Sequence, residues 1–356
     1  MNTLNVAVAS DMRFIVGAIG TLASIRLCLE VHICLQVVFL HDGIDLETQT
    51  HVRSSISKIK GKTHIDFKKI ELDCSSFPKF YTPSEMTYAR FCLPDLCSFS
   101  KVIYIDTDFL VCKSLYPLML IKTSSLGVAA VQDWLLKSIS KDFHHDTPFC
   151  VDGNKPYFNA GLLVLDLNII RSNKIFEKAK DLLSNYPQYC SSHDQSALNY
   201  ILNGDFERLD ASFNKQNVRS NLSPSETIQI LSDRSANIHF ITQKGKPWNT
   251  YSRYPAETMF RILLDYICPS WKSHTYTSTE KKLRFRFFLA PILPVFFRLR
   301  GVFKKILGKC SNQEMKASIN WQIISDDFKL LDTRVADLSQ LYDSWKEQIE
   351  SRISQS

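Results

Sequence analysis

Residues 102–108 read Val-Ile-Tyr-Ile-Asp-Thr-Asp, an apolar run that ends in two acids one residue apart. Ligands of open α/β sheets bind at the carboxyl ends of the strands, so a strand ending at Ile105 would deliver Asp106 to that edge. Asp108 can turn back toward the same point. Paired carboxylates suit a hard divalent cation, which in turn holds phosphate oxygens. The same pattern also fits a loop feature or a helix cap.

The sequence around this run alternates short β-branched stretches with helical patterns over the first 270 residues. This alternation predicts an α/β domain with a mixed, mostly parallel sheet. Strands are predicted over residues 5–9, 36–40, 65–70, 101–105, 127–131, 161–166 and 237–241. Helices are predicted over residues 14–29, 46–60, 87–95, 175–185 and 194–202, with a loop over 221–226.

Composition narrows the class of protein. The chain has 356 residues, 45% of them hydrophobic and 22% charged, which excludes a disordered, collagenous or disulfide-scaffold protein. Its ten cysteines are scattered and form no zinc spacing, which predicts free, mostly buried thiols in a reducing cytoplasm. The first residues lack the charged start of a signal peptide and predict a strand.

The positive charge of the chain is concentrated in one segment. The whole chain has a net charge of +7. Residues 281–309 alone contain nine Lys and Arg residues and no acid. The apolar residues 287–297 between them are too few to cross a bilayer, which needs about 20. Basic residues flanking aromatic ones predict a segment lying on an anionic membrane surface, with a solvated basic helix as the alternative. The pattern does not favour nucleic-acid binding.

The last part of the sequence has a heptad pattern. Apolar residues recur at alternating spacings of four and three, at Ile324, Phe328, Leu331, Val335, Leu338, Tyr342, Trp345 and Ile349. This seam predicts a helix that joins chains into a homo-oligomer. The alternative is one amphipathic helix packed back on the catalytic domain.

Several motifs occur together with the acid pair. They are Ala-Ser-Asp-Met-Arg-Phe at 9–14, Tyr-Ala-Arg at 88–90, Tyr-Phe-Asn-Ala-Gly at 157–161, His-Asp-Gln-Ser at 193–196, Ile-His-Phe at 238–240 and Lys-Pro-Trp at 246–248. In this order and spacing the chain resembles glycosyltransferase family 8, and most of all its bacterial lipopolysaccharide glucosyl- and galactosyltransferases. The resemblance implies a GT-A fold, a UDP-sugar donor, Mn²⁺ or Mg²⁺, and transfer with retention of configuration.

The resemblance also implies roles for individual residues. The metal ligands would be Asp106, Asp108 and His239, although a histidine after a strand can also be a core residue. The nucleotide would be held by residues of the turn after the first strand, of the acid pair and of the Lys-Pro-Trp motif, namely Ala9, Asp11, Phe14, Thr107 and Lys246. Asp11 would accept hydrogen bonds from the base, or cap the following helix. Arg13 and Gln243 depart from the family pattern.

The sugar pocket implied by the resemblance draws on three further motifs. Asn159 and Ala160 would line it, Asp194 would bind sugar hydroxyls, and Arg90 would lie near the sugar and diphosphate. The side-chain oxygen of Gln195 would face the anomeric carbon. Whether Gln195 acts as a nucleophile, or the leaving phosphate deprotonates the acceptor in a front-face reaction, stays open at this stage.

These observations predict three regions. Residues 1–270 would form the GT-A catalytic domain, 271–310 a basic segment at the membrane interface, and 311–356 a helical oligomerisation segment. The predicted activity is transfer of glucose or galactose from UDP-glucose or UDP-galactose to a lipid-anchored saccharide of lipopolysaccharide or lipooligosaccharide, on the inner face of the cell membrane. A protein acceptor and a non-catalytic assembly protein are the alternatives. A haloacid-dehalogenase-type phosphatase is disfavoured, because Leu110 stands where its motif has threonine.

Overall fold

The structure is a computed structural model, and it describes residues 2–79, 84–142, 147–216, 223–241, 246–249, 254–271 and 335–353. The basic segment 281–309 and the first half of the heptad pattern lie outside these ranges. The predictions made for them therefore stay predictions.

Within these ranges ten strands form two sheets: β1 (Thr3–Ser10), β2 (Cys34–His41), β3 (Thr63–Lys69), β4 (Lys101–Ile105), β5 (Phe109–Leu110), β6 (Val128–Gln132), β7 (Phe158–Asp166), β8 (Glu207–Arg208), β9 (Lys215–Gln216) and β10 (Ile238–His239). The large sheet has the order β3-β2-β1-β4-β7-β6-β8, and the small one β5-β10-β9. In the large sheet only β7 runs against its neighbours β4 and β6. The predicted mixed, mostly parallel sheet is confirmed.

Nine α-helices accompany the strands in the described ranges: α1 (Ile15–Cys28), α2 (Leu46–Ser57), α3 (Leu93–Leu96), α4 (Leu167–Ser172), α5 (Ile175–Asn185), α6 (Asp194–Leu202), α7 (Pro224–Ser232), α8 (Pro255–Ile267) and α9 (Val335–Arg352). The bounds predicted for α5 and α6 are confirmed. The helix predicted over 87–95 is a 3-10 helix, Glu85–Cys92, that continues into α3.

Helix α1 is enclosed on almost every side. Nearly all of its side chains are buried, and two glycines let aromatic rings approach its backbone. A Cβ atom on Gly17 would lie 2.4 Å from the ring of Trp248, and one on Gly20 would lie 2.2 Å from that of Phe260. Close packing of this kind fixes the turn between β1 and α1, which lies at the edge of the sheet where ligands bind.

The loop predicted over residues 221–226 is wrong in its second half, where α7 begins. The side chain of Ser223 accepts a hydrogen bond from the backbone of Glu226, and the carboxylate of Glu226 accepts one from the backbone of Ser223. This capping box, followed by Pro224 at the first helical position, is a helix start. Pro224 and the serines on either side of it are typical of a loop, but the same residues also form the start of a helix.

The prediction that the heptad pattern joins chains is corrected for residues 338–349, which lie on α9. Trp345 and Ile349 are buried in the same core as α1 and α8, and Leu338 and Tyr342 pack against that core. The indole N–H of Trp345 donates to the carbonyl of Met259 at 3.1 Å. These side chains are covered by their own chain, so the alternative of a helix packed back on the catalytic domain describes α9.

The nine cysteines within the described ranges are free, and most of their side chains are buried, as the sequence predicts. None of the helices in those ranges is both long enough and apolar enough to cross a membrane.

Candidate active site

A polar cavity of about 470 Å³ opens where β1 and β4 end and β7 begins. Because β7 runs antiparallel to β4, its first residues lie at the same edge as the last residues of β1 and β4. The structure brings every predicted site residue to the lining of this cavity: Ala9, Asp11, Phe14, Arg90, Asp106, Thr107, Asp108, Asn159, Ala160, Asp194, Gln195, His239 and Lys246.

The three predicted metal ligands lie together. Asp106, Asp108 and His239 each offer one ligand atom, and these atoms lie within 4.8 Å of one another. The small sheet brings them together, because β5 directly follows Asp108 and pairs with β10, which carries His239. Nε2 of His239 lies 3.2 Å from Oδ1 of Asp108, a buried oxygen for which the described residues offer no hydrogen bond. Two carboxylates and one imidazole nitrogen can hold a divalent cation.

Asn214 sets the orientation of the His239 ring. Its side-chain oxygen lies 3.0 Å from Nδ1 of His239, and its side-chain nitrogen donates to Oδ1 of Asn159 at 2.9 Å. Because the amide nitrogen of Asn214 is committed to Asn159, its oxygen must be the acceptor for Nδ1–H. The lone pair of the imidazole is then on Nε2, which faces the carboxylates, as a metal-binding histidine requires.

The His239 ring is also fixed by close packing. It stacks on Phe109 with 4.2 Å between ring centroids and 16° between planes. Gly161 lies against the ring as well, since a Cβ atom there would be 2.1 Å from Cε1 of His239. No larger residue fits at position 161 without moving the ring.

The two acids differ in their surroundings. Burial raises the pKa of Asp106 above its usual range, although Arg90 opposes this. Burial also disfavours the charged form of Asp108, but charged neighbours, the ammonium group of Lys246 first among them, hold the pKa of Asp108 well below its usual range. Lys246 pairs directly with Oδ2 of Asp108 and donates to the carbonyl of Phe240 at 2.7 Å. Asp108 is therefore a fixed negative charge in the cavity.

Arg90 lies between two predicted site residues, Asp106 and Asp194. Its guanidinium contacts Asp106 at 3.1 Å and Asp194 at 3.1 Å, donates to the carbonyl of Ala160, and lies over the ring of Tyr104. Burial alone would lower the pKa of Arg90, but the two carboxylates and Tyr104 raise it above its usual value. With a side chain only 2% exposed, Arg90 acts by holding the two acids in place.

Asp133 holds the predicted site residues Asn159 and Gln195, and the sequence did not point to it. Its Oδ2 accepts from the side-chain nitrogens of Asn159 at 3.1 Å and Gln195 at 3.4 Å. The side-chain oxygen of Gln195 accepts from the backbone N–H of Ala160 at 2.9 Å. Gln195 is thus held at both ends of its amide. Neither Asp133 nor Asn214 belongs to a motif with a recognisable spacing, so only the fold reveals them.

The turn after β1 is built around Asp11. Its Oδ1 accepts from the backbone N–H groups of Arg13 and Phe14, and its Oδ2 accepts from the Arg13 guanidinium and from the Ser84 hydroxyl. Asp11 is 4% exposed, whereas the side chain of Arg13 is 65% exposed. The carboxylate stabilises the turn before α1, and Phe14 rests its ring edge-on against Trp248.

The sequence model of glycosyl transferase family 8 matches residues 5–252 of this chain. General stress protein A of Bacillus subtilis (strain 168) is 27% identical over 220 residues, which cover 58% of this chain and 74% of that protein. The lipopolysaccharide 1,3-galactosyltransferase of Salmonella typhimurium is 25% identical over 269 residues, which cover 72% of this chain and 76% of that enzyme.

Solved structures agree with the fold class. The galactosyltransferase LgtC, solved with donor and acceptor sugar analogs, superposes with a TM-score of 0.61 at 20% identity. The superposition covers 76% of this chain and 100% of that one. The glycosyltransferase GlyE of Streptococcus pneumoniae gives a TM-score of 0.53 over 76% of this chain and 62% of its own. The predicted GT-A-type fold is confirmed.

Proposed function

Because the chain belongs to glycosyltransferase family 8, we propose that it transfers glucose or galactose from a UDP-sugar to a saccharide acceptor, with retention of configuration and with Mn²⁺ or Mg²⁺ bound by Asp106, Asp108 and His239. The observation that carries the proposal is the arrangement of these ligands in one cavity with the turn at Asp11 on one side and Asp194 and Gln195 on the other.

The donor set fits a divalent cation. The described residues leave a buried oxygen of Asp108 without a hydrogen bond, and they present the free nitrogen of His239 beside it. When bound, a divalent cation would neutralise the diphosphate and ease its departure as a leaving group. Oxygen ligands favour Mn²⁺ or Mg²⁺, and the imidazole ligand favours Mn²⁺ of the two.

The other residues of the cavity would bind and orient the donor. We assign the base to the turn of Ala9, Asp11 and Phe14, and the diphosphate to the neighbourhood of Thr107 and Lys246. The ammonium group of Lys246 already pairs with one metal ligand, so it lies where negative charge would develop on the departing phosphate.

Asp194 would bind the sugar hydroxyls. Its carboxylate is held by Arg90 and by the hydroxyl of Thr87, at 2.5 Å from the latter. Because the amide of Gln195 is fixed at both ends, we propose that Gln195 orients the sugar and that the leaving phosphate takes the proton of the acceptor in a front-face reaction. This route needs no carboxylate nucleophile.

We propose a lipid-anchored saccharide of lipopolysaccharide or lipooligosaccharide type as the acceptor, at the inner face of the membrane. Two observations support it: the similarity to the Salmonella enzyme named above, and the nine basic residues among the aromatic residues of segment 281–309. Each basic residue near an anionic surface contributes about 1 kcal/mol of binding before salt screening.

The donor is tested with a panel of UDP-sugars and Mn²⁺. The wild-type protein should hydrolyse or transfer from UDP-glucose or UDP-galactose, and EDTA should stop the reaction. The matched control is Asp108→Asn, which should fold and bind Mn²⁺ at least about tenfold more weakly. If no sugar nucleotide is bound or hydrolysed with either metal, the chain is a non-catalytic assembly protein instead.

The membrane proposal is tested with vesicles. Full-length protein should co-sediment with vesicles containing anionic phosphatidylglycerol, more weakly as salt is raised but not to zero, because aromatic contacts are not screened. Replacement of all nine basic residues of segment 281–309 by Gln should weaken binding to anionic vesicles at least as much as high salt does, and should leave the contribution of the aromatic residues. Equal binding to neutral vesicles would contradict the proposal.

A further inference from the structure

Asp142, which directly follows the 3-10 helix Ile139–Lys141, is a buried acid outside the roles assigned so far. Its two carboxylate oxygens accept hydrogen bonds from five hydroxyl groups of the described residues. The donors are Tyr157, Ser191, Ser192, Ser196 and Tyr200. Hydrogen bonds from this many hydroxyl groups hold the carboxylate in one position and tie the residues that carry them to it.

The donors fall into two groups. Tyr157 directly precedes β7 and Tyr200 lies on α6, and both side chains belong to one hydrophobic core. The serine donors come from the loop before α6 and from its first turn, and Ser191 and Ser192 line the cavity itself. Burial raises the pKa of both tyrosines, with the carboxylate of Asp142 as the next cause, so both hydroxyls stay protonated donors.

The segment tied to Asp142 carries the sugar-binding residues Asp194 and Gln195. Between its serines lies His193, whose backbone has φ 56° and ψ −125°, a region that residues other than glycine rarely occupy. Such a conformation persists only when its surroundings hold it. The serines on both sides of His193 are fixed to the one carboxylate, and the N–H of Ser192 also donates to the hydroxyl of Ser196 at 2.8 Å.

We propose that Asp142 is a positioning residue of the transferase: through the hydroxyls of residues 191–196 it holds the strained turn at His193, and thereby Asp194 and Gln195, in the geometry that binds the donor sugar. The inference rests on the proposed function. Asp142 acts on the sugar half of the donor, because the turn at Asp11 that would hold the nucleotide half shares none of these contacts.

The test compares binding of UDP-glucose, UDP-galactose and UDP, each with Mn²⁺, in wild type and Asp142→Asn. The variant keeps the size of the side chain but replaces one of the two acceptor oxygens by an NH2 group, which cannot accept from the hydroxyls. The Kd of the wild type's preferred UDP-sugar should rise about tenfold and kcat should fall about 100-fold, since a displacement near 1 Å has effects of this size. The Kd of UDP should change less than twofold. Backbone amides of residues 191–196 should exchange hydrogen faster.

The control is Asp166→Ala, which removes the N-cap of α4 at the far end of β7. It should lower stability and leave the Kd and kcat values unchanged. If Asp142→Asn fails to fold, the double variant Ser191→Ala, Ser192→Ala takes its place, with the same split between UDP-sugar and UDP. Unchanged sugar binding and kcat in a folded variant would overturn the inference. Absence of UDP binding by the wild type would instead overturn the proposed function.

Discussion

Nδ1 of His239 lies 3.0 Å from the side-chain oxygen of Asn214, and this contact determines which nitrogen of the ring can bind a metal. Asn214 is itself oriented by Asn159, which is oriented by Asp133. A chain of three polar side chains, Asn214, Asn159 and Asp133, thus connects His239 to Gln195. Substitution of any of these three residues should therefore change the affinity for the metal, although none of them is a metal ligand.

Asn214→Ala should weaken Mn²⁺ binding about 10–100-fold, the range observed for partners that orient a ligating histidine. The fold should persist, because the change removes one amide. Titration of Mn²⁺ followed by electron paramagnetic resonance measures the affinity directly. The control is Asn173→Ala. Asn173 lies at the carboxyl end of α4, and its side chain donates to the carbonyl of Ile169. Equal Mn²⁺ affinity of Asn214→Ala and wild type would refute the orienting role.

Arg90→Lys should lower both stability and turnover, because an ammonium group cannot contact Asp106, Asp194 and the Ala160 carbonyl together. Removing one partner of a buried ion pair costs about 3–5 kcal/mol, and the lysine should recover part of this. Thermal unfolding and a donor hydrolysis assay check the two effects. Arg53→Lys is the control, since Arg53 covers Phe67 away from the cavity and should leave turnover unchanged.

Trp345→Ala should destabilise the catalytic domain by about 3–5 kcal/mol, the range for a large buried aromatic side chain. Trp345 is 3% exposed in the core that α9 shares with α8. Chemical denaturation measures the loss, and Lys346→Ala, on the solvent side of α9, should change stability by less than about 0.5 kcal/mol.

Truncation after Gly308 removes α9 with Trp345 and should therefore also destabilise the protein. If the truncated chain were as stable as wild type, α9 would not stabilise its own domain, and the heptad pattern would again favour self-association.

His41 should make stability depend on pH. Burial lowers the pKa of its imidazole below the usual 6.5, and Nδ1 accepts from the N–H groups of Gly43 and Ile44. Below 6.5 the unfolded chain binds a proton that the folded one does not, so this stability is complete above pH 6.5 and is lost as pH falls through the lowered pKa.

The matched variant is His41→Asn, whose side-chain oxygen can accept from the same two backbone groups without titrating in this range. Urea unfolding from pH 7.5 down to pH 5 should give a shallower decline of stability for the variant than for wild type. Parallel curves would show that His41 makes no contribution. An NMR titration of the imidazole would give the folded pKa independently.

The sequence was sufficient for the parts of the fold and site that depend on local pattern. The β4 run with its two acids, and the bounds of α5 and α6, follow from periodicity and are confirmed. Asp133 and Asn214 could not be predicted, because their roles arise from contacts with residues far away in the chain. The heptad spacing of α9 indicates an apolar face but not what covers it, which could be a partner chain or its own domain. Only the tertiary packing distinguishes the two. Helix α8 was missed, although Pro255 stands at its first turn.

Because α9 packs on the catalytic domain, the basic segment lies between two parts of the chain that belong to the domain. The backbone of Ile59 bridges to Ile353, and the Arg352 side chain donates to the carbonyls of Arg26 and Leu29. In the sequence, the basic segment 281–309 is therefore preceded by Trp271 and followed by α9, both of which belong to the same hydrophobic core. A single proteolytic cut between residues 272 and 334 should thus leave α9 bound to the domain through its own contacts.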